Sequence, residues 1–257
     1  MKGWSLFVHS VRQVFGNLGA ALRISGLLYL VQIAVSLVLG VSLMGDDADL
    51  QAKAMAGEFP WGGLVVVVLV ALISGLWIAV AWHRYVLLNE PQGTLIPTFR
   101  ADRILSYLGH SLLLLVVLIP VGAVMGLVAG LLLTPLMMAG GEGGIGALFA
   151  LGILVYLPMI VICYRLCVML PAAALGQPMG VGAAWGKTKG ASGDILVLAV
   201  ISVAVAIVIG LPDIFVFAPG SVLSMAWNLI TQWVVMMVGV SILTTIYGHY
   251  VEGRALV

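Results

Sequence analysis

Charge is what this chain has least of. Of its 257 residues only 8% are Asp, Glu, Lys or Arg, against about 25% in an ordinary soluble domain. Hydrophobic residues make up 63%. A water-soluble fold of this length has too little interior to hide so much apolar surface, so the solvent is lipid. No polar stretch is long enough to fold as a separate soluble domain. The formal net charge of +1 says nothing about acidic partners, and the basic residues are too scattered for a nucleic-acid patch. No acidic residue or lysine falls in the middle of an apolar run, which argues against a coupled pump or antiporter.

Cysteine is almost absent. Cys163 and Cys167 stand four apart in one apolar run, and neither has a distant partner for a bridge. They share a helix face and read as two small buried apolar side chains. A redox or metal role would need His or carboxylate ligands that the local sequence lacks. The histidines, His9, His83, His110 and His249, map near one face of the membrane. His83 and His249 hold related positions and could approach each other, but no H-x-x-x-H pair accompanies them. No metal or cofactor is expected.

Catalytic motifs are missing as well: the chain has no H-E-x-x-H and no G-x-S-x-G. Gly186-Lys187-Thr188 imitates the end of a phosphate-binding loop, but Val181 stands where the upstream glycine is needed and no strand precedes it. Gly190-Ala191-Ser192-Gly193 resembles the serine turn of membrane proteases, yet no histidine sits mid-span to activate Ser192. The expectation is that the protein is not an enzyme.

What is present is a series of apolar runs, each near the roughly 20 residues that cross a bilayer. Six spans are expected, at 24–44, 62–82, 108–133, 145–167, 194–212 and 226–247. The first 23 residues are too long and amphipathic for a short basic leader, so the first run reads as a retained span. Lys2, Arg12 and Arg23 precede it, and Asp46, Asp47, Asp49, Lys53 and Glu58 follow it. Arg84, Arg100 and Arg103 follow the second span, Arg165, Lys187 and Lys189 the fourth, and Arg254 the sixth. Ten of the eleven basic residues thus share one side, which the positive-inside rule makes cytoplasmic. Five or seven spans would spoil that split. Both termini are expected in the cytoplasm.

The fold expected is all-α, a polytopic bundle of six transmembrane helices in a single membrane domain, 1–257. It reads as three tandem hairpins with cytoplasmic interfacial helices, at approximately 1–90, 91–175 and 176–257. The inward spans end alike, in Trp82-His83-Arg84-Tyr85-Val86, Tyr164-Arg165-Leu166-Cys167-Val168 and Tyr247-Gly248-His249-Tyr250-Val251. An aromatic beside a cation is an ordinary interfacial anchor. In the first lead-in, Trp4, Phe7, Val8, Val11, Val14 and Phe15 form a helical stripe opposite Lys2, Ser5, His9 and Arg12. Val181, Ala184, Trp185 and Thr188 repeat that spacing, and Phe99 to Tyr107 does so less cleanly. The uncharged stretch 166–186, broken by Pro171 and Pro178, is placed at the interface.

Inside lipid, helices associate through small residues. Gly122, Gly126 and Gly130 make a G-x-x-x-G-x-x-x-G stripe, which serves either packing within the chain or a homodimer seam. Ala71, Gly75 and Ala79 make a second stripe, and Ser202, Ala206 and Gly210 a third. Pro120 and Pro158 should kink spans three and four; paired kinks can frame a midplane cavity. Arg165 has three readings: it snorkels to the headgroups, it pairs with Asp194 or Glu90, or it grips an anionic lipid headgroup.

The stretch from Tyr164 to Gly190 has the most character, with Arg165, Leu170-Pro171-Ala172, Ala184-Trp185 and Thr188-Lys189-Gly190. Together with Trp82-His83-Arg84-Tyr85 and Glu90, it resembles a group of bacterial six-span proteins, the YciC-like proteins and the related membrane domain of some glycerophosphodiester phosphodiesterases. No sequence here resembles the phosphodiesterase domain itself, so no catalytic activity is expected to carry over. The resemblance implies a bacterial inner-membrane location and a non-enzymatic role. The leading functional expectation is organisation of lipid or of a partner membrane complex, with Arg84, Arg165, Lys187 and Lys189 as candidate headgroup or partner contacts. A permease or channel for a neutral or amphipathic small molecule is the alternative.

Overall fold

The structure is a computed structural model that describes residues 2–41, 55, 60–138, 142–218 and 220–256. Among them every regular element is a helix and none is a strand. In chain order these are α1 (Lys2–Phe15), α2 (Leu18–Val38), α3 (Trp61–Leu88), α4 (Ala101–Met138) and α5 (Glu142–Leu166). The short α6 (Met169–Leu175) and α7 (Val181–Lys187) follow, then α8 (Ser192–Phe215) and α9 (Val222–Tyr250). Among the described residues six stretches are long and apolar enough to cross a membrane: Leu18–Val38, Trp61–Leu88, Ala101–Pro135, Leu157–Leu175, Ser192–Phe215 and Val222–Tyr250. Outward-facing Val116 and Leu131 are 68% and 70% exposed, as side chains in contact with lipid should be. This is a multi-pass membrane protein.

Span boundaries differ from the expected ones for identifiable reasons. The first span ends at Val38 rather than residue 44, because Gly40 takes φ 61°. Its N–H bonds to Leu37, and that of Val41 bonds to Ser36, which closes the helix with a glycine cap. The acidic loop with Asp46, Asp47, Asp49, Lys53 and Glu58 lies outside the described residues. The lead-in expected around Phe99 to Tyr107 is no separate interfacial helix: from Ala101 it forms the first turns of α4, with Ile104 and Tyr107 buried. Pro120 and Pro135 in α4, Pro158 in α5 and Pro212 in α8 all sit inside continuous helices.

Packing divides the chain into two units that interleave in sequence. One comprises residues 1–9, 105–204 and 242–257, the other 10–104 and 205–241. In the second, Val14, Ala21, Ile24, Leu28, Ile78, Ala81, Trp82 and Met237 form a buried cluster. Polar bonds cross between its helices: Gln13 accepts from Ser241 at 2.7 Å and Ser25 from Trp233 at 2.7 Å. Tyr29 donates to the Leu229 carbonyl at 2.9 Å, and Gln32 to Ser74 at 2.6 Å. Such bonds average about 0.6 kcal/mol in a bilayer, so they set register more than they supply stability.

In the first unit, the first half of the stretch 166–186 packs inside the protein, while most of 177–186 is exposed. Met169 to Ala174 are all buried. Pro171 is tolerated because it stands in the first turn of α6, where no intrahelical N–H is required. Gly176, at φ 82°, ends α6 with bonds from its own N–H to Ala173 and from Gln177 to Ala172. Helix α1 turns part of the expected stripe outward and packs through its smaller residues. Trp4 and Phe15 are exposed, whereas Gly3, Leu6, Ser10 and Val14 are buried. The apolar arc is broad enough to offer two faces, and the one with the smaller residues packs closer. Gly3 shows why: a Cβ there would lie 2.7 Å from that of Val197 and closer still to the Asp194 carbonyl.

Candidate functional site

Arg165 ends α5, and the turn after α7 wraps around it. Its Nε donates to Thr188 Oγ1 at 3.2 Å, Nη1 to Ser192 Oγ at 3.2 Å, and Nη2 to the Trp185 carbonyl at 2.9 Å. The guanidinium carbon stands 3.5 Å from the centroid of a Trp185 ring. Thr188 in turn donates to the Ala184 carbonyl at 2.9 Å, so its oxygen is oriented to receive Arg165. Arg165 is only 7% exposed, its guanidinium held by protein groups. The planar fork of arginine serves three acceptors and one aromatic face at once, which an ammonium does not. Both sequence fragments set aside as near-motifs meet here, one supplying Thr188 and the other Ser192.

The shell is neutral. Among the described residues no carboxylate lies within ion-pair reach of Arg165. Neither expected partner is engaged with it: Asp194 accepts a hydrogen bond from Tyr250 at 3.1 Å, and Glu90 is held by two other arginines. Stacking and charge-assisted hydrogen bonds offset part of the desolvation cost of the guanidinium, and its charge stays uncompensated. Around it Trp185, Lys187, Lys189, Gly190 and Ser192 are exposed, and Gly190 makes the turn at φ 84°.

Arg84 belongs to the other unit. Asn89 adopts φ 51° and ends α3, with the Glu90 N–H bonded to the Arg84 carbonyl at 3.3 Å. Glu90 then receives Arg84 at 2.5 Å on one oxygen and Arg100 at 2.6 Å on the other. Burial works to raise the Glu90 carboxyl, but the hydrogen bonds from Arg100 and Arg84 and their charges outweigh it, and it titrates below the usual carboxylate range. Phe99 in the same loop meets Trp77 edge-on, ring centroids 4.8 Å apart.

The remaining candidates divide. A Cβ on Gly122 would lie 3.4 Å from the Met159 side chain, whereas among the described residues a Cβ on Gly126 or Gly130 would meet nothing within 4 Å. Among the described residues, close packing along that stripe is made at Gly122 and not at Gly126 or Gly130. In the aromatic–cation ends of the inward spans, Trp82, His83, Arg165 and Tyr247 are buried, while Arg84, Tyr85, Tyr164, His249 and Tyr250 are half-buried. His83 and His249 fall in different units. Among the described residues no group of three or more His, Cys, Asp or Glu is placed to hold a metal ion.

Sequence reasoning overlooked a polar cluster because Asp213 lies just past the expected end of the fifth span at 212 and its partners are uncharged. Asp213 near the end of α8 accepts from Ser224 at 2.5 Å and Asn228 at 3.0 Å, while Trp227 donates to the Ile209 carbonyl at 3.0 Å. The available signal was polar residues recurring near helical spacing in otherwise apolar runs, as at Ser224, Asn228 and Thr231. Compared with protein-family models, curated proteins and solved structures, the chain matches none.

Proposed function

We propose that this is a non-catalytic protein of a bacterial inner membrane, with both termini cytoplasmic, that organises anionic lipid at its basic edge. The observation that carries the reading is a buried guanidinium without a carboxylate, under a turn whose exposed residues include Lys187 and Lys189. A phosphate is the counter-charge such a site lacks. Arg165 uses one N–H on each nitrogen for protein acceptors, which leaves two of its five for a ligand oxygen. Basic pockets at a membrane edge select anionic headgroups in this way. The orientation rests on the distribution of Lys and Arg, and the absence of an enzymatic role on the missing nucleophile–base pair. The resemblance to YciC-like proteins agrees with this reading.

The test is native mass spectrometry of the full chain extracted into nanodiscs. The wild type should carry phosphatidylglycerol or cardiolipin above its share in the membrane, and Lys187→Gln/Lys189→Gln should lose the excess while remaining folded. Bulk lipid composition on the wild type would contradict the reading. A stoichiometric protein in its place would assign the edge to a partner, and solute flux in liposomes would favour a permease.

A further inference from the structure

Cys163 and Cys167 are left unused by that reading. Cys163 lies in the last turn of α5 and Cys167 just beyond its end, with the Cys167 N–H on the Cys163 carbonyl at 2.7 Å. Both thiols are free, and their sulfurs are 3.4 Å apart. That is far longer than the roughly 2.05 Å of a disulfide, yet close enough for both to reach one atom. Cys167 is buried and Cys163 half-buried, so the pair is approached past Cys163. The lack of neighbouring His or carboxylate, which argued for inert cysteines, removes zinc-type chemistry only. A soft centre needs nothing but sulfur.

We propose that Cys163 and Cys167 form a two-sulfur chelating site for a soft, thiophilic centre, with trivalent arsenicals the best-matched class. Geometry makes the choice. With bonds of about 2.3 Å, two sulfurs on one centre lie about 4.6 Å apart when linear and about 3.3 Å apart at a right angle. The 3.4 Å separation matches the near-right-angled bonds of pyramidal trivalent arsenic. A linear univalent ion of the copper group requires the sulfurs to open by about an ångström. Capture of an arsenoxide is a condensation. Two S–H bonds and the arsenic–oxygen bond break, two As–S bonds form, and oxygen leaves with both protons as water. Arsenic stays trivalent and nothing is oxidised.

The experiment uses the full chain in detergent micelles, reduced and freed of reductant, treated with one equivalent of phenylarsine oxide and read by intact mass. One phenylarsenic adduct per chain is expected, kept through excess 2-mercaptoethanol and removed by 2,3-dimercaptopropanol. Cys163→Ser and Cys167→Ser should each bind roughly 10²-fold more weakly, since either leaves a single attachment, and should lose the adduct to the monothiol. Helical content by circular dichroism should match the wild type; if a variant fails to fold, monothiol resistance of the wild-type adduct carries the test. No adduct on a wild type whose two thiols both alkylate after unfolding would overturn the site. So would an adduct equally resistant to monothiol in either single-cysteine variant.

Discussion

Arg165 shows how a membrane fold accommodates a charge beneath its surface. The cost of desolvation is offset in three directions by neutral oxygens and on one face by an indole. Arg165→Lys keeps the charge but loses the fork and the stack. Unfolding in detergent should then show a loss of about 2 kcal/mol, near the cost of a buried group left unsatisfied. Thr188→Val, nearly isosteric, should cost about 1–3 kcal/mol by withdrawing one acceptor from a charged donor; an unchanged midpoint would show the Thr188 bond to be dispensable. Glu90 gives the pH dependence. Its carboxyl titrates below the ordinary 4.5, so the stability it contributes is fully present above that value. It is lost as pH falls through the lowered one. Glu90→Gln should flatten that acid limb, measured as melting temperature against pH, and leave neutral-pH behaviour weaker but level.

At the scale of the element, helix faces were harder to read than helices. The apolar runs announced nearly every long helix, because lipid demands both length and backbone closure. Which face turns inward depends on how closely a neighbour approaches, and one sequence does not carry that information. Trp4, on the stripe expected at the membrane surface, is 56% exposed, while Gly3 beside it touches α8. Gly3→Leu should therefore release the start of α1, seen as faster protease cleavage near residue 10 in detergent. Gly126→Leu should leave the fold intact, because its Cβ would enter open space. Should Gly126→Leu abolish a cross-linked dimer while sparing the monomer, the homodimer use of that stripe would be established. Gly40 could have been recognised as a terminator, since a glycine after an apolar run is the usual helix cap. The long uninterrupted hydrophobicity hid it.

For the whole molecule, the six crossings and the all-helical class were legible because composition and run length leave few alternatives. The neutral shell of Arg165 was not, since it joins residues 165, 185, 188 and 192, and only the path through α6 and α7 brings them together. Charge searches found the arginine and passed over its hydroxyl partners. The Asp213–Ser224–Asn228 cluster was missed because Asp213 falls one residue beyond the expected end of its span at 212.

The central claim is that the cation of Arg165, with Lys187 and Lys189 exposed in the turn that holds it, binds lipid phosphate. The most direct measurement is native mass spectrometry of wild-type protein and Lys187→Gln/Lys189→Gln, each titrated with phosphatidylglycerol against phosphatidylcholine in the same detergent. Retention of phosphatidylglycerol by the wild type, falling by about tenfold in the variant as two headgroup contacts are lost, is the expected result. Equal retention of both lipids by the wild type, or no change in the variant, would contradict the account.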